Sequence, residues 1–167
     1  ERERHCESVA SASRYMAVQC WEKMDASLVV ERYLDDVKER LGSRLKLMCR
    51  AGCLPVLSRV AWELDLREHN GKCPLCDSGE AEDVEHVLLR CPAHQHHRAK
   101  MMDAASSVYA TSNDGDELGE ASKETQVRVL LGARAGSKEA EDVIDVQVKR
   151  FLVKVWKTRR RVSEAIN

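Results

Sequence analysis

Aromatic side chains are scarce in this chain: three Trp, three Tyr and one Phe among 167 residues, none of them between Cys73 and Cys91. Gripping unpaired bases by stacking needs such rings, so the middle of the chain has no stacking platform. Long apolar runs are missing too. No stretch approaches the roughly 20 residues that a membrane-crossing helix requires, and the start shows no basic segment leading into an apolar one, as a secretory signal would. Neither sign of charge dominates, with 27 basic against 28 acidic residues, so no whole-molecule field draws the chain to a polyanion or a membrane. Any polyanion site must be local. Internal repeats are absent and strand signals are weak. At 167 residues the chain amounts to about one domain, too short for a complete polymerase. It opens at Glu1 rather than at a methionine, which suggests a piece of a longer product.

Cysteine is what the chain does have, seven in all. Without a secretory segment these are expected in a reducing, intracellular setting, as metal ligands or core residues rather than disulfides. The stretch CPLCDSGEAEDVEHVLLRC holds Cys73-x2-Cys76-x9-His86-x4-Cys91, three thiolates and one imidazole within 19 residues. That is the ligand set of a closed tetrahedral structural zinc site. Two residues between Cys73 and Cys76 make a tight turn whose sulfurs converge, and Gly79 lets the chain reverse toward the second pair. Asp83 suits the N-cap of a short helix from Val84 to about Arg90 that carries His86 inward, and Pro92 ends it. A catalytic zinc would need an open coordination position and a general base. H-E-x-x-H is absent, and the deaminase signature P-C-x-x-C fails at Lys72, so no catalytic residue is assigned. Cys49 and Cys53, with Cys6 and Cys20, suit the core, part of a second metal site with His69 being the other reading of the first two. HQHHR at 94–98 suits a solvated, weakly basic helix face, with an extension of metal binding as the other reading.

Residues 1–68 read as three amphipathic helical segments leading into the zinc-binding segment at 69–103. A polar linker is expected at 104–122, around TSNDGDELGEAS, followed by C-terminal helices over 123–167: a short one near KETQVRVLLGAR and a long one from about Lys138 to Arg161. The alternation in VQVKRFLVKVW would also suit a strand. Ile144, Val148, Phe151, Leu152 and Val155 nevertheless share one face at 3.6 spacing, and the acidic KEAED start and basic KTRRR end suit a helix dipole. The fold class is therefore mostly α: a small helical domain organised around one CCHC zinc site, with a long C-terminal amphipathic helix. Tyr33-Leu34-Asp35-Asp36 has the Y-x-D-D form of a polymerase metal-binding tip, but its flanks follow helical spacing, with Asp36 and Arg40 four apart. Only 30 residues precede Glu31, too few for the other catalytic strands, so this stretch reads as helix surface.

With these residues in view, CPLCDSGEAEDVEHVLLRCPAHQHHR resembles the zinc-binding segment that follows the polymerase domain in non-LTR (LINE-type) retrotransposon reverse transcriptases. There a C-x2-C, an acidic spacer with E-x-x-E-H, and an L-x-C-P stretch followed by arginine recur. LKLMCRAGCLPVLSRVAWEL is similar to the helical stretch before that segment, and AEDVIDVQVKRFLVKVWKTRR to the FL-x-K-x-W-x-x-R ending of such polyproteins. The resemblance spans roughly residues 20–165. It implies one structural Zn2+ on Cys73, Cys76, His86 and Cys91, and no catalysis in this region, the polymerase and endonuclease lying upstream. It further implies an accessory role in holding template RNA or target DNA during target-primed reverse transcription, contact with the upstream reverse transcriptase domain, and residence in nucleus and cytoplasm, away from membranes.

The residues add weaker support of their own. Lys149, Arg150, Lys154, Lys157, Arg160 and Arg161 occupy an arc of roughly 140° opposite the apolar face, at 100° per residue. No acid falls between Lys149 and Arg161. Such a face can follow phosphates without reading bases. The alternative is a zinc-stabilised helical module that docks on protein and does not touch nucleic acid.

Overall fold

The computed structural model describes residues 39–52, 54–56, 71–132 and 135–166, with side chains of the last helix through Arg159. Cys6, Cys20, Cys53, His69 and the Tyr33–Asp36 stretch lie outside the described residues, as do the side chains of Arg160 and Arg161. The described part is mostly helical, and its only strand-like pairing is one antiparallel bridge, Lys72 with Ala81. Four α-helices follow one another among these residues: α1 (Arg40–Arg50), α2 (Gln95–Ser112), α3 (Lys123–Leu130) and α4 (Lys138–Ile166). A π-helical turn, His86–Arg90, and a 3-10 turn, Pro92–His94, precede α2.

Helix α4, 29 residues long, is the spine. The Ser137 hydroxyl accepts from the Ala140 amide at 3.2 Å, and Glu139 and Glu141 lie in the first turn beside the positive end of the dipole. Its stripe of Ile144, Val148, Phe151, Leu152 and Val155 is buried throughout, which settles the helix against the strand for this stretch. Helix α2 packs antiparallel along one flank. His94, just ahead of α2, meets the Phe151 ring edge-on with centroids 6.4 Å apart, and at the far end the Ser112 and Ser137 hydroxyls lie 2.9 Å apart. Leu45 and Cys49 of α1, Met101 and Ala105 of α2, and Val127 and Leu130 of α3 complete one core with α4.

The polar linker expected at 104–122 begins later than its composition suggests. Helix α2 runs through Ser112, so 104–112 is helical. The Ala104–Ser107 run shows little apolar periodicity, but Met101 and Ala105 are four apart and buried against the core, which holds the helix in place.

Lys149 also departs from expectation, since it is 1% exposed and does not belong to the solvated cationic face. At 100° per residue it stands one step round from Val148, on the flank that α1 covers. Gly42 makes the close approach possible: a Cβ built there would sit 2.7 Å from the Lys149 Cβ and 3.1 Å from its Cα and carbonyl oxygen. Asp145 answers the buried charge, one carboxylate oxygen 2.6 Å from the Lys149 ammonium and the other 2.7 Å from that of Lys46 on α1. Burial holds the Lys46 ammonium below its ordinary range, opposed by Asp145.

Gly42→Ala is expected to destabilise the domain by about 1–2 kcal/mol. Overpacking against a helix backbone costs ~1–3 kcal/mol, and alanine's helix preference over glycine, about 1 kcal/mol, recovers only part. Urea unfolding measures the difference, and a neutral or stabilised variant would show that α1 and α4 do not close at this residue.

Candidate metal centre

The Cys/His segment folds as two short pieces that face each other. The first is a knuckle: the Cys73 amide donates to the Glu80 carbonyl at 2.9 Å and the Glu82 amide to the Gly71 carbonyl at 2.9 Å, closing a loop that carries Cys73 and Cys76. Gly79 stands at φ +70, the left-handed conformation that the reversal demands and that side chains disfavour. The second piece is the short helix that starts at Val84. The Asp83 carboxylate accepts from the His86 amide at 2.6 Å, three residues on, as an N-cap does. Its last turn is wide, the Cys91 amide reaching back five residues to the His86 carbonyl at 2.7 Å. At α-helical pitch five residues amount to about 500°, which would leave Cys91 roughly 140° round from His86. The wider π turn narrows that offset, and the ligand atoms of both residues reach the knuckle's cysteines.

Cys73, Cys76, His86 and Cys91 thereby come together, with one ligand atom from each and all four within 4.8 Å of one another. The Cys73 and Cys91 sulfurs are 3.8 Å apart, and Cys76 Sγ lies 3.5 Å from His86 Nε2. Cys73, His86 and Cys91 are buried and Cys76 is half-buried. The cluster can hold one metal ion. Its electrostatics point the same way. Burial pushes the Cys73 and Cys91 thiols up, whereas at Cys76 the hydrogen bonds of Ser78 overcome desolvation and bring the thiol down to about 7. A cation at the centre would supply the charge that lets all three thiols ionise.

Sequence reasoning found the four ligand candidates and missed what braces them. The Arg98 guanidinium donates to the carbonyl oxygens of Leu88 and Cys91, capping the end of the wide turn. Arg90 pairs with Glu80 at 2.7 Å and with Glu85, both on the acidic spacer. Glu82, wholly buried, receives a fork from Arg159 of α4, Nε to Oε1 at 2.8 Å and Nη2 to Oε2 at 2.9 Å. The same guanidinium lies 5.3 Å from the Trp156 ring centre. E-x-x-E-H and FL-x-K-x-W-x-x-R, 77 residues apart at this contact, are thus one structural joint. No sequence signal beyond the charges themselves announced that pairing.

Of the expected cationic residues, Arg150, Lys154 and Lys157 are exposed on α4, and Lys149 is buried. Cys49 is buried in the core, away from the metal cluster. Within HQHHR, His96 is exposed, and His94 is buried with no hydrogen-bond partner at Nδ1 among the described residues. Comparison of the chain with protein-family models, with curated proteins and with solved structures finds no match.

Two outcomes follow from this bracing. Glu82→Gln and Arg159→Gln, singly and together, should show a coupling of about 2–3 kcal/mol in a double-mutant cycle, as hydrogen-bonded charge pairs out of solvent do. Additive losses would mean the fork holds nothing. His94 sets a pH dependence. Desolvation, with Arg98 nearby, brings its folded-state value to about 4, below the ordinary 6.5. The unfolded chain therefore takes up the proton first, and stability present above about pH 6.5 is lost as pH falls toward 4. Relative to His94→Gln, the native protein should lose about 1.4 kcal/mol between pH 7.5 and 5.5 at saturating metal. Equal losses in both proteins would place His94 in water.

Proposed function

We propose that Cys73, Cys76, His86 and Cys91 hold one structural zinc, and that this domain is the zinc-binding accessory region of a non-LTR retrotransposon reverse transcriptase. It would help to hold template RNA or target DNA while reverse transcription is primed. The observation that carries the metal reading is the spacing of the donors. A tetrahedral zinc with Zn–S of about 2.3 Å and Zn–N of about 2.05 Å has S···S edges of ~3.8 Å and S···N edges of ~3.6 Å. The Cys73–Cys91 and Cys76–His86 separations, 3.8 and 3.5 Å, match those edges. Four protein ligands leave no open position, so the metal's role is to hold the fold.

The nucleic-acid reading draws on the resemblance and on Arg150, Lys154 and Lys157, exposed along α4 on the side away from its core stripe. Such a row neutralises phosphates and gains affinity by releasing counterions, without reading sequence. A second reading, a protein-docking helical module, draws on Leu41 of α1, 42% exposed, and Leu47, 36% exposed.

Protein purified without chelator should carry one zinc per chain by mass spectrometry, and Cys76→Ser or His86→Ala should lose it and unfold the segment 69–103. Apparent binding in small zinc peptides, on the order of 10–16 kcal/mol, rivals a whole domain's stability of about 5–15 kcal/mol. Metal-free protein that is nonetheless folded would end the zinc reading. Replacing Arg150, Lys154 and Lys157 by Gln should flatten the slope of log K against log salt by about 0.9 per contact on duplex DNA, or 0.7 on single strands. Identical, weak binding of both proteins at every salt concentration would favour protein docking.

A further inference from the structure

One side chain of the acidic spacer reaches the cluster itself. His86 turns Nε2 toward the cluster, 3.5 Å from Cys76 Sγ, so its Nδ1 faces outward. There it meets Glu80, whose Oε2 lies 3.2 Å from Nδ1. The same oxygen accepts from Arg90 Nε at 2.7 Å, and Arg90 is held in turn by Glu85 and, at 3.6 Å, by Asp83. The Glu80 main chain belongs to the same frame. Its carbonyl accepts from the Cys73 amide at 2.9 Å, and its amide donates at 3.3 Å to the Ser78 hydroxyl, which lies 3.1 Å from Cys76 Sγ. One residue therefore touches Cys73 through its backbone, Cys76 through Ser78 and His86 through its carboxylate. The E-x-x-E-H pattern is made by Glu82 and Glu85, so nothing in the resemblance points to Glu80.

Resting on the reading that the cluster holds zinc, we infer that Glu80 is the positioning residue of the metal centre. Its carboxylate receives the Nδ1–H of His86, keeps the imidazole in the tautomer that leaves the Nε2 lone pair free for the metal, and fixes the plane of the ring. A neutral imidazole binds metal through one nitrogen only while the other carries the proton, and a carboxylate acceptor there makes the ligating nitrogen more basic and the ring less free to rotate. Arg90 serves the same end by holding the carboxylate. Half of the Glu80 side chain is covered and the rest faces water, so its replacement leaves no buried charge behind.

The test uses the whole chain, titrated with zinc against a chelator of known affinity, together with nitrogen-15 NMR of the His86 ring. Glu80→Ala should weaken zinc binding about 10–100-fold, the range seen for lost outer partners of metal-bound histidines. Its Nδ1 proton should exchange fast with solvent. Glu80→Gln, which keeps an acceptor at the same reach, should restore a slow-exchanging Nδ1–H and recover part of the affinity. Arg90→Gln should cost less than Glu80→Ala, because the carboxylate remains. Tight zinc binding by the native chain with Glu80→Ala within twofold of it would overturn the inference and leave the zinc reading standing. So would Arg90→Gln losing as much as Glu80→Ala with His86 exchange unchanged, since Glu80 would then matter only as an ion pair. A native chain that takes up no zinc would overturn both.

Discussion

Three thiols and an imidazole converge within 4.8 Å, with Cys73, Cys91 and His86 buried. Thiolates crowded in this way repel one another and lose their hydration, so the arrangement is favourable in its ionised form only around a cation. The rest of the middle of the chain answers to that constraint. A knuckle closed by two main-chain hydrogen bonds presents one pair of donors, and a wide helical turn presents the other. Val87 and Leu88, from the same wide turn, are buried in the helical core. The Cys/His cluster and the helices therefore share a wall.

That shared wall gives the two halves of the domain a common fate. Glu82, between the ligands, is forked to Arg159 near the far end of the long helix, and Arg98 caps the wide turn from the helix that follows. Glu82 is wholly buried, and a buried charge that loses its partner costs far more than the pair contributes over water. Through these two contacts the Cys/His cluster is tied directly to α4 and α2. The exposed row of Arg150, Lys154 and Lys157 rides on that same helix, so in the proposed role the zinc would act on nucleic acid indirectly, by holding the helix that carries the cations.

On its other flank α4 carries the opposite device. Lys149 is sequestered against α1 where Gly42 removes the side chain that would keep the helices apart, and Asp145 bridges it to Lys46. A helix read as having one broad cationic face therefore has two kinds of lysine. Lys154 and Lys157 face water. The one under α1 shares Asp145 with Lys46, so that a single carboxylate ties α4 to α1.

Local chemistry, legible along the chain, was enough for the four donor residues, the Asp83 cap, the reversal at Gly79 and the apolar stripe of α4. Each depends on residues within a few positions of one another, where backbone geometry leaves little choice. Helicity of 104–112 was not legible, because a run of Ala and Ser becomes a helix through burial of Met101 and Ala105 against distant residues. Nor was the fate of Lys149 or the pairing of Glu82 with Arg159 and Glu80 with His86. Charged side chains carry no periodic signature of their partners, and whether such a group meets water or a counter-charge is decided only when elements from far apart in the chain close on it. The sequence thus named the four residues of the cluster, and the tertiary packing chose which charges brace it and which face water.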